Sequence, residues 1–129
     1  MSKEISVVFY GRRQVRADWN FEIDEKATID FFAGLDAEFA PFGICIRRLK
    51  EEDVVMDVKG YGDVLNSVRI RSPQDGIGNL CLGHIIGPSP HRDLLEDIRR
   101  GVNRVAFAPE TIEPEGSDKI VCHNCGCGC

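Results

Sequence analysis

The clearest periodic signal along the chain is an alternation in which Val15, Ala17, Trp19, Phe21 and Ile23 are apolar while Arg16, Asp18, Asn20 and Glu22 are polar. A period of two is what a half-buried strand requires. Just before it, residues 5–10 read Ile-Ser-Val-Val-Phe-Tyr and stop at Gly11, a β-branched and aromatic run closed by a turn residue. Together the two segments predict an antiparallel hairpin with its turn at Gly11 and with Trp19 and Phe21 in the core. From residue 25 to about 40 the spacing becomes helical through Ile29, Phe32, Ala33, Leu35 and Phe39, and Pro41 and Gly43 stop the helix. Its acids Asp24, Glu25, Asp30, Asp36 and Glu38 are expected on the solvated face, favoured near the helix N-terminus.

Segments 44–49 and 53–58 predict a second hairpin joined by Lys50, Glu51 and Glu52, and Gly60, Tyr61 and Gly62 mark a further turn. Residues 64–71 alternate as a strand, 72–76 have loop composition, and 80–86 read as the last strand. A second helix follows Gly87 and Pro88, with Ser89 as N-cap, Pro90 in the first helical position, and a stripe of Leu94, Leu95, Ile98, Val102 and Val105. Gly101 interrupts that stripe at a cost of about 1 kcal/mol against alanine.

These elements predict an α+β domain over 1–107, a mostly antiparallel sheet of about six short strands with two helices on one side. Thioredoxin-like and ferredoxin-like arrangements both fit. The composition then changes. Residues 108–119 form an acidic linker rich in Pro, Gly and Glu whose one aliphatic side chain larger than alanine is Ile112, too little apolar surface to offset the entropy of ordering it. Residues 120–129 are left as a flexible cysteine-rich tail.

The chain has 129 residues, 43% hydrophobic and 29% charged, which suits one soluble domain. With a net charge of −5 and its arginines interleaved with acids, it is a poor match for nucleic acid, which draws on concentrated positive charge. Arg12-Arg13 and Arg47-Arg48 read as solvated edges, a shared local patch being the alternative. No apolar run approaches the ~20 residues that cross a bilayer, and the start Met-Ser-Lys-Glu-Ile-Ser lacks the pattern of a secretory signal. A cytoplasmic protein without membrane partners is expected, so the six cysteines are better read as metal or redox groups than as disulfides.

Four of those cysteines fall in Cys122-His123-Asn124-Cys125-Gly126-Cys127-Gly128-Cys129. The Cys122-x-x-Cys125 spacing lets two thiolates converge on one ion across a tight turn. In Cys125-Gly-Cys127-Gly-Cys129 the spacing is that of alternate strand residues, about 6.6–7 Å in an extended chain, whereas sulfurs sharing a tetrahedral ion lie about 4 Å apart at metal–sulfur distances of ~2.3 Å. Gly126 and Gly128 permit the required bend. Cys122, His123, Cys125, Cys127 and Cys129 are thus the candidate metal ligands, suited to an iron–sulfur cluster, Zn(II) or Cu(I) rather than to hard cations.

The run Cys125-Gly126-Cys127-Gly128 resembles the tail of A-type iron–sulfur carrier proteins, in which such a pair joins a third cysteine upstream to hold a cluster. The resemblance covers those four residues; Cys45, in Phe42-Gly43-Ile44-Cys45-Ile46, does not match the small, glycine-flanked setting of that third cysteine. Cys45 and Cys81 are expected as buried packing residues. Cys81 and His84 would form a second metal site only if a bulge at Gly83 turned them to one side. His91 reads as an exposed helix start, and no nucleotide-binding, nucleophile-elbow or zinc-protease motif is visible.

The leading expectation is an accessory protein whose tail carries a metal or cluster to a metalloenzyme or assembly factor, with a homodimer sharing tails as a further option. The rivals are a thiol redox or sulfur-relay protein using the same cysteines, and a recognition domain presenting a cysteine-rich peptide for modification.

Overall fold

The computed structural model describes residues 3–18, 21–87, 89 and 93–112. Among them the chain forms four strands and four α-helices in the order β1 (Lys3–Gln14), α1 (Glu25–Phe39), β2 (Ile44–Val58), α2 (Tyr61–Asn66), β3 (Val68–Ser72), β4 (Ile77–Cys81), α3 (Leu82–Ile86) and α4 (Leu94–Phe107). The strands make one mixed sheet ordered β2-β1-β3-β4. β1 and β2 run parallel, β3 is antiparallel to β1, and β4 is antiparallel to β3. The α+β class holds, but the sheet has four strands rather than six, is mixed rather than mostly antiparallel, and is accompanied by four helices rather than two.

Both predicted hairpins are replaced by long strands of a parallel pair. β1 passes straight through Gly11, and residues 15–18, expected in the second strand, are exposed and outside the sheet. Trp19 lies outside the described residues, while Phe21 and Ile23 are half-buried against the core. In β2 the register with β1 runs from Lys3↔Ile44 to Tyr10↔Glu51 and resumes at Gly11↔Val55. Glu52, Asp53 and Val54 are therefore a bulge within one strand, not the far side of a turn. Glycine at 11 accommodates that bulge closely: an added Cβ would lie 3.1 Å from the Glu52 carbonyl oxygen and 3.3 Å from that of Val54, so the bulge would have to give by a few tenths of an ångström. A parallel pair cannot be joined by a tight turn and needs a crossover, which α1 supplies.

The core occupies one face of the sheet. Ile5, Val7 and Phe9 of β1 and Ile44 and Ile46 of β2 belong to the same buried cluster as Phe32, Leu35 and Phe39 of α1, Val64 and Leu65 of α2, and Ile98, Val102 and Val105 of α4. Along α1 the buried stripe is Thr28, Phe32, Leu35 and Phe39, a regular i, i+4, i+7 series, and Ile29, one position off it, is 55% exposed instead of packed. Asp24 caps the helix by accepting the Ala27 N–H at 3.1 Å, and a 3₁₀ turn through Pro41 ends at Gly43 with φ of 73°. On the other face of the sheet Arg71 makes a two-point pair with Glu51 and donates to Asn79, which donates to the Tyr10 hydroxyl.

Three further boundaries differ from expectation. Val64 and Leu65 are helical, and β3 begins only at Val68. The last strand ends at Cys81, and 82–86 are α3, because a short apolar run without alternation fits a buried helix as well as a strand. α4 begins at Leu94 with Asp93 as its cap, whereas Ser89 donates to the Asp97 carboxylate at 2.6 Å; Pro90 lies outside the described residues. Past α4, a 3₁₀ turn at Pro109–Thr111 returns Ile112 to the core, with Arg104 donating to the Thr111 carbonyl and hydroxyl. Among the described residues no helix is long and apolar enough to cross a membrane.

Gly101 is a packing residue: a Cβ there would lie 2.5 Å from Leu82 Cδ1 and 3.1 Å from Ile70 Cδ1, both on fully buried side chains. The absence of a side chain lets α4 approach α3 and β3. Gly101→Ala gains about 1 kcal/mol of helix propensity but overpacks the core at a cost of about 1–3 kcal/mol. Net destabilisation is expected, read as a lower urea midpoint at an unchanged slope.

Candidate functional site

The five residues expected as metal ligands, Cys122, His123, Cys125, Cys127 and Cys129, lie outside the described residues. The other two cysteines are placed. Cys45 is exposed rather than packed in the core, and Cys81 is buried. The Cys81 sulfur accepts the His84 backbone N–H at 3.3 Å and so caps α3, with no bulge at Gly83, which lies within that helix. Among the described residues no group of three or more His, Cys, Asp or Glu side chains could hold a metal ion.

A cleft of about 570 Å³ opens beside the second halves of β1 and β2, next to the first turn of α1. The parallel β1-α1-β2 unit builds it, and the C-terminal ends of parallel strands are where open α/β sheets collect their ligands. Phe9, Phe21, Ile23, Val55 and Val58 give its walls an apolar component. Arg12, Arg48 and Lys50 also line it, against the carboxylates Glu25 and Glu52.

Two of these cations have different surroundings. Arg48 forms a two-point pair with Glu25, Nη1 to Oε1 at 2.7 Å and Nη2 to Oε2 at 3.1 Å, and its guanidinium lies 5.0 Å from the Phe9 ring centre. Lys50 reaches the same Glu25 oxygen at 3.3 Å. Hydrogen bonds from Arg48, then from Lys50, hold the Glu25 carboxyl down at about 2. Among the described residues Arg12 has no such partner. Its guanidinium lies 5.9 Å from the Phe21 ring centre, its Nη1 is buried with no hydrogen-bond acceptor, and burial lowers its pKa. Arg48 Nε is likewise buried without an acceptor.

The sequence did carry a trace of this site in its two arginine pairs. The fold divides each pair: Arg13 meets Asp57 at 2.6 Å and Arg47 meets Glu4 at 3.3 Å on the exposed surface, while Arg12 and Arg48 line the cleft. The solvated-edge reading describes one arginine of each pair. Glu25 and Phe21 could not be joined to them without the parallel register.

Asp97 is the other striking group chemically, a carboxylate only 2% exposed. Its Oδ2 accepts from Tyr61 and Ser89, both at 2.6 Å, and its Oδ1 from Arg100 at 3.1 Å. Burial first, and then the bond to Asp97, push the Tyr61 phenol up. With both oxygens engaged, the carboxylate fastens α2 and residue 89 to α4 rather than standing ready to exchange protons.

Because the folded pKa of Glu25 is depressed from 4.5 to about 2, its ion pair contributes fully above about pH 4.5 and is lost as the pH falls through about 2. Carbon-detected NMR titration should place the Glu25 carboxyl near that lower value, and in Arg48→Ala most of the depression should vanish. The chain matches no protein-family model, no curated protein and no solved structure, so its function rests on its own residues.

Proposed function

We propose that this chain is a small cytoplasmic accessory protein for metal or iron–sulfur handling, in which Cys122, His123, Cys125, Cys127 and Cys129 carry an iron–sulfur cluster, Zn(II) or Cu(I) and the folded body docks on a metalloenzyme or assembly factor. The observation that carries this reading is the division of labour along the chain. The described body closes its core at Ile112 using aliphatic and aromatic side chains, while four of the six cysteines lie together at 122–129. A thiolate set gathered in one short stretch of sequence suits an exchangeable cargo better than a structural ion, whose ligands usually knit distant parts of a fold together.

The thiol-redox rival is less well supported by where the cysteines stand. A dithiol working in a βαβ unit would be expected near the start of the crossover helix, and residues 15–24, between β1 and α1, contain no cysteine.

Anaerobic purification with metal and acid-labile sulfide analysis and a visible spectrum is the direct test. Iron with sulfide identifies a cluster, zinc or copper alone a bound ion, and a metal-free dithiol or disulfide refutes the proposal. The double change Cys125→Ser and Cys127→Ser should remove at least nine-tenths of the bound metal and move the melting temperature by less than about 2 °C, as a cargo site requires. A collapse of the fold would mean a structural ion instead.

A further inference from the structure

We infer that the cleft between β1, β2 and the start of α1 is a second binding site, for a small organic oxyanion that carries an apolar group, with Arg12 as its anion-binding residue. The inference is independent of the cysteines at 122–129.

Buried cations are ordinarily paired, because removing a charge from water without a counter-charge is costly. Arg12 is half-buried with its Nη1 fully buried, yet among the described residues no carboxylate accepts from it and that nitrogen has no acceptor. The Phe21 ring centre lies 5.9 Å from its guanidinium. A second orphan nitrogen, Arg48 Nε, belongs to a residue of the same cleft. The Arg12 side chain lines this concavity with no carboxylate of the described residues paired to it, and an oxyanion is the natural partner for such a guanidinium, from which it can accept hydrogen bonds. Glu25 already occupies the outer edge of Arg48 and the Lys50 ammonium, which leaves Arg12 as the open charge.

The remaining lining sets the rest of the ligand. Val55, 58% exposed, stands on the cleft wall with Phe21 and Ile23. An exposed aliphatic side chain beside an unpaired guanidinium describes an amphiphilic ligand, an oxyanion at one end and an aromatic or branched apolar group at the other. The volume of about 570 Å³ falls in the range of about 300–1,000 Å³ typical of small-molecule sites. Gly11 and the Glu52–Val54 bulge in β2, which approach each other closely, shape the cleft where β2 departs from regular pairing.

The test is an amide and arginine side-chain NMR titration of the full-length chain with phenylacetate and phenyl phosphate, which distinguish a carboxylate from a phosphate ester. Acetate supplies the charge without the ring and benzyl alcohol the ring without the charge. Saturable shifts at Gly11, Arg12, Phe21 and Val55 with either aromatic anion, at least tenfold stronger than with acetate or benzyl alcohol, are expected. Arg12→Gln should weaken that binding at least tenfold, and Arg13→Gln, whose partner is Asp57, should leave it unchanged. Absence of saturable shifts with both aromatic anions, or equal binding by Arg12→Gln and the unaltered chain, would overturn the inference. Should Arg12→Gln fail to fold, Val55→Glu places a repelling carboxylate on the exposed wall. It should reduce binding at least tenfold, and undiminished binding would equally overturn the site.

Discussion

The parallel pairing of β1 with β2 is the constraint from which most of this molecule follows. Parallel neighbours require a crossover, so residues 15–43 must climb over one face of the sheet and return, and α1 is the element that does so. Once α1 lies there, Phe32 and Leu35 cover Val7 and Phe9, and the helix start brings Glu25 against Arg48 and Lys50. The same register opposes Gly11 to Val55 and forces Glu52, Asp53 and Val54 out of the ladder. Core, ion pair, bulge and cleft are thus consequences of one pairing.

The helices add their apolar surface to that single face, which leaves the other to polar cover. Arg71, Glu51, Asn79 and Tyr10 form a continuous hydrogen-bonded set there, and Arg69 lies 5.4 Å from the Tyr10 ring centre. Under this cover Val8 is fully buried and Ser6 nearly so. Arginine stems do this work well because they bury methylene groups while keeping the guanidinium hydrogen-bonded. A polar sheet face of this kind can meet a protein partner without a large apolar patch, in keeping with the accessory role proposed for the chain.

Two chemistries are separated along the molecule. Four of the six cysteines lie at 122–129, whereas the cationic cleft belongs to the folded body and is built from strands and a helix start. The first is visible as a motif because its residues lie close together in sequence. The second is a tertiary object: Arg12, Phe21, Arg48 and Val55 are brought together only by the crossover and the bulge.

Sequence alone determined the α+β class, the helix at 25–39 with its stop at Pro41 and Gly43, the apolar stripe of α4, and the cysteine cluster, since each rests on local periodicity, a local stop signal or a local spacing. It misread Gly11 and the polar group Lys50, Glu51 and Glu52 as turns because a turn and a bulge call for the same residues, glycine and charge. It placed Ile29 inside and Cys45 in the core because hydrophobicity does not say which side of a helix or strand meets its neighbour. Strand direction, the face that α1 covers, the reason for Gly101 and the pairing of each arginine were settled only by tertiary structure, because each depends on a contact between residues far apart in the chain.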